Sequence, residues 1–410
     1  MDLHHPVRLA ATIALAFVAL AGCRPSATGG SPASPPRVTA PTDDARQQLR
    51  DACAWLWSQQ ADDGGWHSGN YAVLRSGQAY TPFVLFTLLS VPEDEAPRPP
   101  DRIRRALYFI RSHTRADGVL GMADAELPEY PNYATAYALR CLILAGEPRD
   151  AELVARMTDY LIGEQYREVG GFAADSAPFG GWGFGGVRPA GDPGHMDLAH
   201  TRRVLESLRS AGVQDEKVFA DAQRFLRLVQ RHPDETRPQP GSGDSLDDAP
   251  LGVPYDGGFY FSPVVLDANK GRQETGDDGT NPYYRSYATT TCDGVLSLLA
   301  AGVPIDDPRV EDARQWLADH PQLDYPAGIP RDHPDPWGDA LHFYHLAVRA
   351  EAYAALDMPG DWRTAIARQL SLGRRDDGSY TNTASPLMKE DDPLLATALA
   401  ATALAYSLEP

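Results

Sequence analysis

The sequence predicts an all-α protein, an (α/α)6 toroid of six helix hairpins built as inner and outer helical rings. Three observations point to it. Glycine–aromatic or glycine–apolar punctuation recurs as Gly64-Gly65-Trp66, Gly118-Val119-Leu120, Gly170-Gly171-Phe172, Gly257-Gly258-Phe259 and Gly378-Ser379-Tyr380, the first three 54 and 52 residues apart. The helical pattern before each is amphipathic, and the pattern after each is apolar on nearly every side. An amphipathic helix paired with an all-apolar one, six times over, implies an inner ring covered by an outer one.

The first 43 residues have a different character. Arg8 and two histidines precede an apolar run from Leu9 to Leu20, too short to span a bilayer and suited to a signal peptide over residues 1–22. The run ends in Leu20-Ala21-Gly22-Cys23, which resembles the lipobox of bacterial lipoproteins. That resemblance implies acylation of Cys23, attachment to the membrane through the lipid, and an extracytoplasmic place in the bacterial cell envelope. Residues 23–43, rich in Pro, Ser, Gly and Thr, read as the lipidated Cys and a tether, and 44–410 as the toroid domain.

Outer helices are expected near 44–59, 101–113, 150–165, 215–230, 307–319 and 361–371. Within Asp101–His113, Ile103, Ala106, Leu107 and Ile110 share a face while the arginines occupy the others. Inner helices are expected near 80–91, 132–145, 196–211, 286–301, 340–356 and 393–407, the last reading almost entirely Ala and Leu. Gly146, Gly212, Gly302 and Met358-Pro359-Gly360 read as stops behind them. Two connections, 173–195 and 232–284, exceed ordinary loop length.

A formal net charge of −19 repels phosphate backbones, so nucleic acid is not expected as a partner. Beyond Cys23, three cysteines remain. Cys53, Cys141 and Cys292 form no CxxC, and the first two lie in apolar helical runs suited to buried thiols.

Gln60-Ala61-Asp62-Asp63-Gly64-Gly65-Trp66 resembles the QW motif of squalene/hopene cyclases and protein prenyltransferase β subunits, with weaker copies from Gln165 to Phe172 and from Arg374 to Tyr380. Gly181-Trp182-Gly183-Phe184-Gly185 followed by Asp197-Leu198-Ala199-His200-Thr201 looks like the same superfamily. The resemblance covers about 44–408. It implies the toroid fold, with the Gln amides and aromatics in structural roles, and says little about activity.

The cyclases of that superfamily protonate an alkene with an Asp-x-Asp-Asp acid. None occurs here. Asp244-Ser245-Leu246-Asp247-Asp248 has the wrong spacing, and Asp391-Asp392 reads as a helix N-cap. The prenyltransferases hold zinc with Asp, Cys and His. Asp293 and His345 stand at two matching positions, Val295 occupies that of the Cys, and His342 or Cys292 is the candidate third ligand. Asp293 and His345 are therefore the catalytic or zinc candidates, expected to meet directly or through one water near the mouth of the lumen. Tyr133, Asp197, His200, Tyr287, His342 and Tyr344 are the ligand-binding candidates. Three functions follow: a toroid binding a small molecule, lipid or glycan without chemistry, which the missing acid motif favours; a cyclase or prenyltransferase; and a glycan-processing enzyme using paired carboxylates.

Overall fold

A computed structural model describes residues 41–237, 239, 254–275 and 282–408. The signal, lipidation and tether segment before residue 41 and the Asp244–Asp248 stretch lie outside these residues. Thirteen α-helices occur among them, numbered here in chain order. They are α1 (Pro41–Ser58), α2 (Tyr80–Ser90), α3 (Pro100–His113), α4 (Pro131–Ala145), α5 (Ala151–Gly163), α6 (Leu198–Ser210) and α7 (Glu216–Gln230). The series continues with α8 (Ala288–Ala300), α9 (Pro308–Asp319), the single turn α10 (Trp337–Ala340), α11 (His342–Ala355), α12 (Trp362–Ser371) and α13 (Pro393–Ser407).

Six of these close a ring. α2 packs on α4, α4 on α6, α6 on α8, α8 on α11, α11 on α13, and α13 returns to α2. Outside it, α3 lies on α2 and α4, α5 on α4 and α6, α7 on α6 and α8, α9 on α8, α12 on α11 and α13, and α1 on α13. The chain is thus an α/α toroid of six hairpins. A feature not anticipated is a short antiparallel pair, β1 (Gln273–Thr275) with β2 (Pro282–Tyr284), in the long connection between α7 and α8.

The glycine turns fix the spacing between hairpins. Gly64, after α1, has φ +92° and lies so close to the Arg105 carbonyl of α3 that a Cβ would meet it at 2.5 Å. Gly118 stands likewise against Arg156 of α5, Gly180 against Asp221 of α7 and Gly257 against Asp312 of α9. Gly378, behind α12, packs on Asp51 of α1 and so closes the outer ring. Only glycine combines that φ with that approach.

The residue two beyond each turn glycine is tied to the next inner helix in the same way. The backbone N–H groups of Trp66, Leu120, Trp182, Phe259 and Tyr380 donate to the hydroxyls of Thr81, Thr135, Thr201, Thr291 and Thr397. Gln60 donates to Gly64 O and Arg102 O, Gln165 to Gly180 O and Val218 O, and Gln230 to Gly257 O and Arg309 O. Each Gln amide therefore joins its own turn to the first turn of the next outer helix.

This geometry corrects the third repeat. Gln165 reaches Gly180-Gly181-Trp182, and Trp182, fully buried, donates its indole N–H to Leu161 O at 2.7 Å, as Trp66 does to Leu56 O. Gly171, which precedes the true turn, packs instead on the backbone of Gly191, which follows it.

Candidate functional site

The head of α6 carries a buried polar cluster at the N-terminal end of an inner helix. Asp197 is its N-cap, with Oδ1 accepting the backbone N–H of His200 at 2.9 Å. Oδ2 lies 2.8 Å from His200 Nδ1 and 3.2 Å from His195 Nδ1. Burial alone would raise this carboxyl, but the imidazoles of His200 and His195 hold it well below the usual carboxylate range. A carboxylate only accepts, so His200 Nδ1 carries a proton. His200 Nε2 is buried and has no hydrogen-bond partner among the described residues.

Aromatic rings pack around the His200 imidazole. Tyr133 meets the His200 ring edge-on at 4.2 Å, Phe184 lies at 4.7 Å and Tyr130 at 6.4 Å. Phe184 stacks on His195 at 4.1 Å. The long 173–195 connection delivers these groups because its end is laced to two helix heads. Phe184 N–H donates to His195 O, Asn132 N–H to Phe184 O, and the Asn132 amide to Gly183 O.

The wall continues through Phe261, whose carbonyl accepts the Leu198 N–H at the start of α6 and whose ring meets His195 edge-on at 6.4 Å. Lys270 lies over Phe261 at 4.7 Å and over Trp337 at 4.8 Å, donating to Ala268 O at 3.0 Å. Burial pushes its ammonium down to about 8, partly opposed by the charge of Asp197. Tyr287 is fully buried nearby, its phenol pushed well above its ordinary value by burial and then by Asp293. The half-buried rings of Tyr130, Tyr133, Phe184, Phe261, Trp337 and Tyr344 form the rim.

Below the rim the lumen is filled by charge. Arg202, fully buried on α6, bonds Asp293 of α8 at 2.9 Å, Glu206 at 2.7 Å, and Glu351 of α11. Arg203 bonds Glu206 and Glu351, Arg140 of α4 bonds Glu206 at 2.9 Å, and the Tyr344 hydroxyl donates to Asp293 Oδ2 at 2.8 Å. Three arginines thus face three carboxylates. Because α8 stands between α6 and α11 in the ring, the Arg202–Glu351 and Arg203–Glu351 bonds cross the lumen. Burial raises the Asp293 carboxyl despite Arg202 and Arg203, whereas the same arginines overcome burial at Glu351 and hold it low.

Six of the residues singled out in the sequence therefore share one end of the ring: Tyr133, Asp197, His200, Tyr287, Asp293 and Tyr344. The expected meeting of Asp293 with His345 is corrected. Asp293 is taken by Arg202 and Tyr344. His345 Nε2 lies 3.2 Å from Gln322 O instead, and its imidazole is pushed well below its ordinary value by burial and by Arg349. The reason lies in the repeat. His345 is the fourth residue of α11, as Thr201 and Thr291 are of α6 and α8, and it faces the connection from α9 rather than the lumen. His342 rests edge-on against Phe343 at 5.0 Å. Cys292 is fully buried, its thiol pushed up to about 12. Among the described residues no three His, Cys, Asp or Glu side chains are grouped to hold a metal, so the proposed zinc set is not assembled. Asp392 caps α13 and accepts the Ser68 hydroxyl at 2.5 Å.

Missed in the sequence were the luminal arginines and glutamates, Lys270, and the His195 and Phe184 contacts. Arg202-Arg203 and Glu206 in α6, with Glu351 in α11, were visible as charges inside helices read as all-apolar. Lys270 comes from an irregular connection, where no periodicity marks it. A cavity of about 560 Å³ between α9 and the 255–286 connection, lined by Asp256, Arg272, Glu274, Arg285 and Trp316, includes none of the predicted site residues.

No protein-family model matches the chain, and no curated protein matches it. Solved structures do. The type II terpene cyclase MstE from Scytonema, as a variant in complex with its substrate geranylgeranyl dihydroxybenzoate, superposes with a TM-score of 0.56 at 13% identity, covering 90% of this chain and 98% of that one. The chain shares the α/α-toroid fold of that structure. The same toroid is similar to a protein from Actinoplanes, with a TM-score of 0.50, 16% identity and coverage of 89% and 100%. It is also similar to an inactive variant of the GH76A α-1,6-mannanase of Salegentibacter sp. HEL1_6 with α-1,6-mannotriose, with a TM-score of 0.50, 11% identity and coverage of 89% and 98%. At these identities the shared property is the fold.

Proposed function

We propose that this is a membrane-anchored, extracytoplasmic toroid that binds a small polar ligand of the carbohydrate class at the head of its inner ring and does not cyclise polyprenes. The observation that carries the reading is His200. Asp197 fixes its Nδ1 and leaves Nε2 buried, with no partner among the described residues, beside half-buried aromatic rings. What sets this atom apart from other buried polar atoms is its place among the aromatic rings at the inner-helix heads, where its hydrogen-bonding capacity can serve a ligand hydroxyl. Aromatic faces beside hydrogen-bonding groups suit a ligand that has both apolar faces and hydroxyls.

The lumen speaks against a hydrocarbon guest. A polyprene seated in it would lie against Arg202, Arg203, Glu206, Asp293 and Glu351, and stripping water or partners from such groups is costly. Glycan hydrolysis is the less supported alternative, because it needs two carboxylates free to act as acid and base. Asp197 already accepts from His200 and lies beside His195, and Asp293 accepts from Arg202 and Tyr344.

Titration of the mature protein in detergent with a panel of neutral and acidic oligosaccharides, alongside squalene and geranylgeraniol, tests the proposal. Saturable saccharide binding weakened by His200→Ala supports it. Binding of the polyprenes alone, or release of cyclised products, overturns it.

A further inference from the structure

The chain has three lysines among 37 basic residues, Lys217, Lys270 and Lys389. Lys217 pairs with Asp221 at 2.7 Å and is exposed. Lys270 is buried, and among the described residues its Nζ donates to one acceptor, Ala268 O. An ammonium has three donors, so two are not used by any bond found among the described residues. No carboxylate lies within ion-pair distance of it among those residues; Asp197 acts on it only through its field. Phe261 and Trp337 present their faces to the cation and offset only part of its lost hydration. A buried cation without an anion is a costly arrangement. Lys270 also belongs to the same rim as His200, through Phe261 and His195.

We propose that Lys270 receives a carboxylate of the ligand, so that the site selects acidic saccharides of the uronic-acid class over neutral ones. The inference rests on the carbohydrate reading above and names the substrate class for that site. One ammonium, with the carboxylate of Asp197 close enough to temper its field, suits a monoanion. A phosphate dianion would draw on several cations. The carboxylate would take the two N–H donors that have no acceptor among the described residues, and the sugar ring would lie against the aromatic rim with a hydroxyl on His200 Nε2.

The test compares a β-1,4 disaccharide ending in glucuronic acid with its own methyl ester, by isothermal titration of the mature protein in detergent. The two probes differ in charge and a single methyl group. The acid is expected to bind about tenfold more tightly than the ester at pH 7, as for a charge-assisted hydrogen bond. That ratio should fall at alkaline pH as the lysine loses its proton, and collapse to about one in Lys270→Met. Equal binding of acid and ester to the wild type, or an undiminished ratio in Lys270→Met, overturns the inference while leaving the carbohydrate reading intact. Binding of neither probe nor any other saccharide overturns both. If Lys270→Met does not fold, Lys270→Gln and the wild-type pH dependence of the ratio decide the matter.

Discussion

Asp197 lies 2.8 Å from Nδ1 of His200 and leaves the opposite nitrogen of that ring buried without a partner among the described residues. The same carboxylate caps α6, so the helix start and the imidazole orientation are one structural unit. The local geometry of α6 thereby places a hydrogen-bonding atom at the head of the ring.

Asp197→Asn is expected to cost roughly 1.5–3 kcal/mol at neutral pH, the range for hydrogen bonds to a buried charged group. Because the folded carboxyl lies below its unfolded value of about 3.9, its contribution is complete above that pH. It is lost as pH falls through the folded value. Urea melts of both proteins at pH 7 and pH 3 check this. The gap between them should narrow in acid, and a gap that widens there would contradict the assignment.

Gly118→Ala should destabilise by at least about 2 kcal/mol, since φ is +91° and the new Cβ would stand 2.4 Å from Arg156 O. Gly212→Ala is the control, with φ +71° and nothing within 4 Å, and should cost only about 1 kcal/mol. Thermal melts that rank the two in the opposite order would remove the inter-hairpin contact from the account.

Arg202→Met would leave Asp293 and Glu351 without their central partner, at a cost of about 3–5 kcal/mol. Adding Asp293→Asn in that background should recover part of the loss, a coupling of about 0.5–3 kcal/mol. Strictly additive losses in chemical denaturation would show that the two residues do not share a network.

Cys23→Ser should release the protein from the membrane fraction and abolish incorporation of labelled fatty acid. Continued labelling of the variant, with continued partition into detergent, would exclude Cys23 as the anchor.

The rings were legible because burial on one side or on all sides leaves a periodic trace over ten or more residues. The outer pattern Ile103, Ala106, Leu107, Ile110 and the Ala/Leu run of α13 are that trace. Two glycine pairs, Gly170-Gly171 and Gly180-Gly181, fit the third turn equally well in sequence. The approach of Gly180 to Asp221 O and the bonds of Gln165 to Gly180 O and of Trp182 to Thr201 distinguish them, and such contacts leave no local signal. The site was half legible. Asp197, His200, Tyr133 and Tyr344 stand at helix heads, which the hairpin pattern locates. The partner of Asp293 was misread because a helix-head position does not say which way a side chain turns. His345 sits where two other inner helices carry the structural threonines Thr201 and Thr291. Lys270 and Phe261 depend on the path of a long connection that sequence pattern does not constrain.

The central claim is that His200 Nε2 is a ligand-binding atom held ready by Asp197. Long-range proton–nitrogen NMR of the histidine rings measures this directly, in the free protein and during titration with the glucuronic-acid disaccharide. The account predicts a protonated Nδ1 on His200 throughout, with an Nε2 resonance that moves saturably as ligand is added and a Nδ1 signal that is lost in Asp197→Asn. An unprotonated Nδ1 in the free protein, or an Nε2 resonance that stays fixed while the saccharide binds, would contradict it.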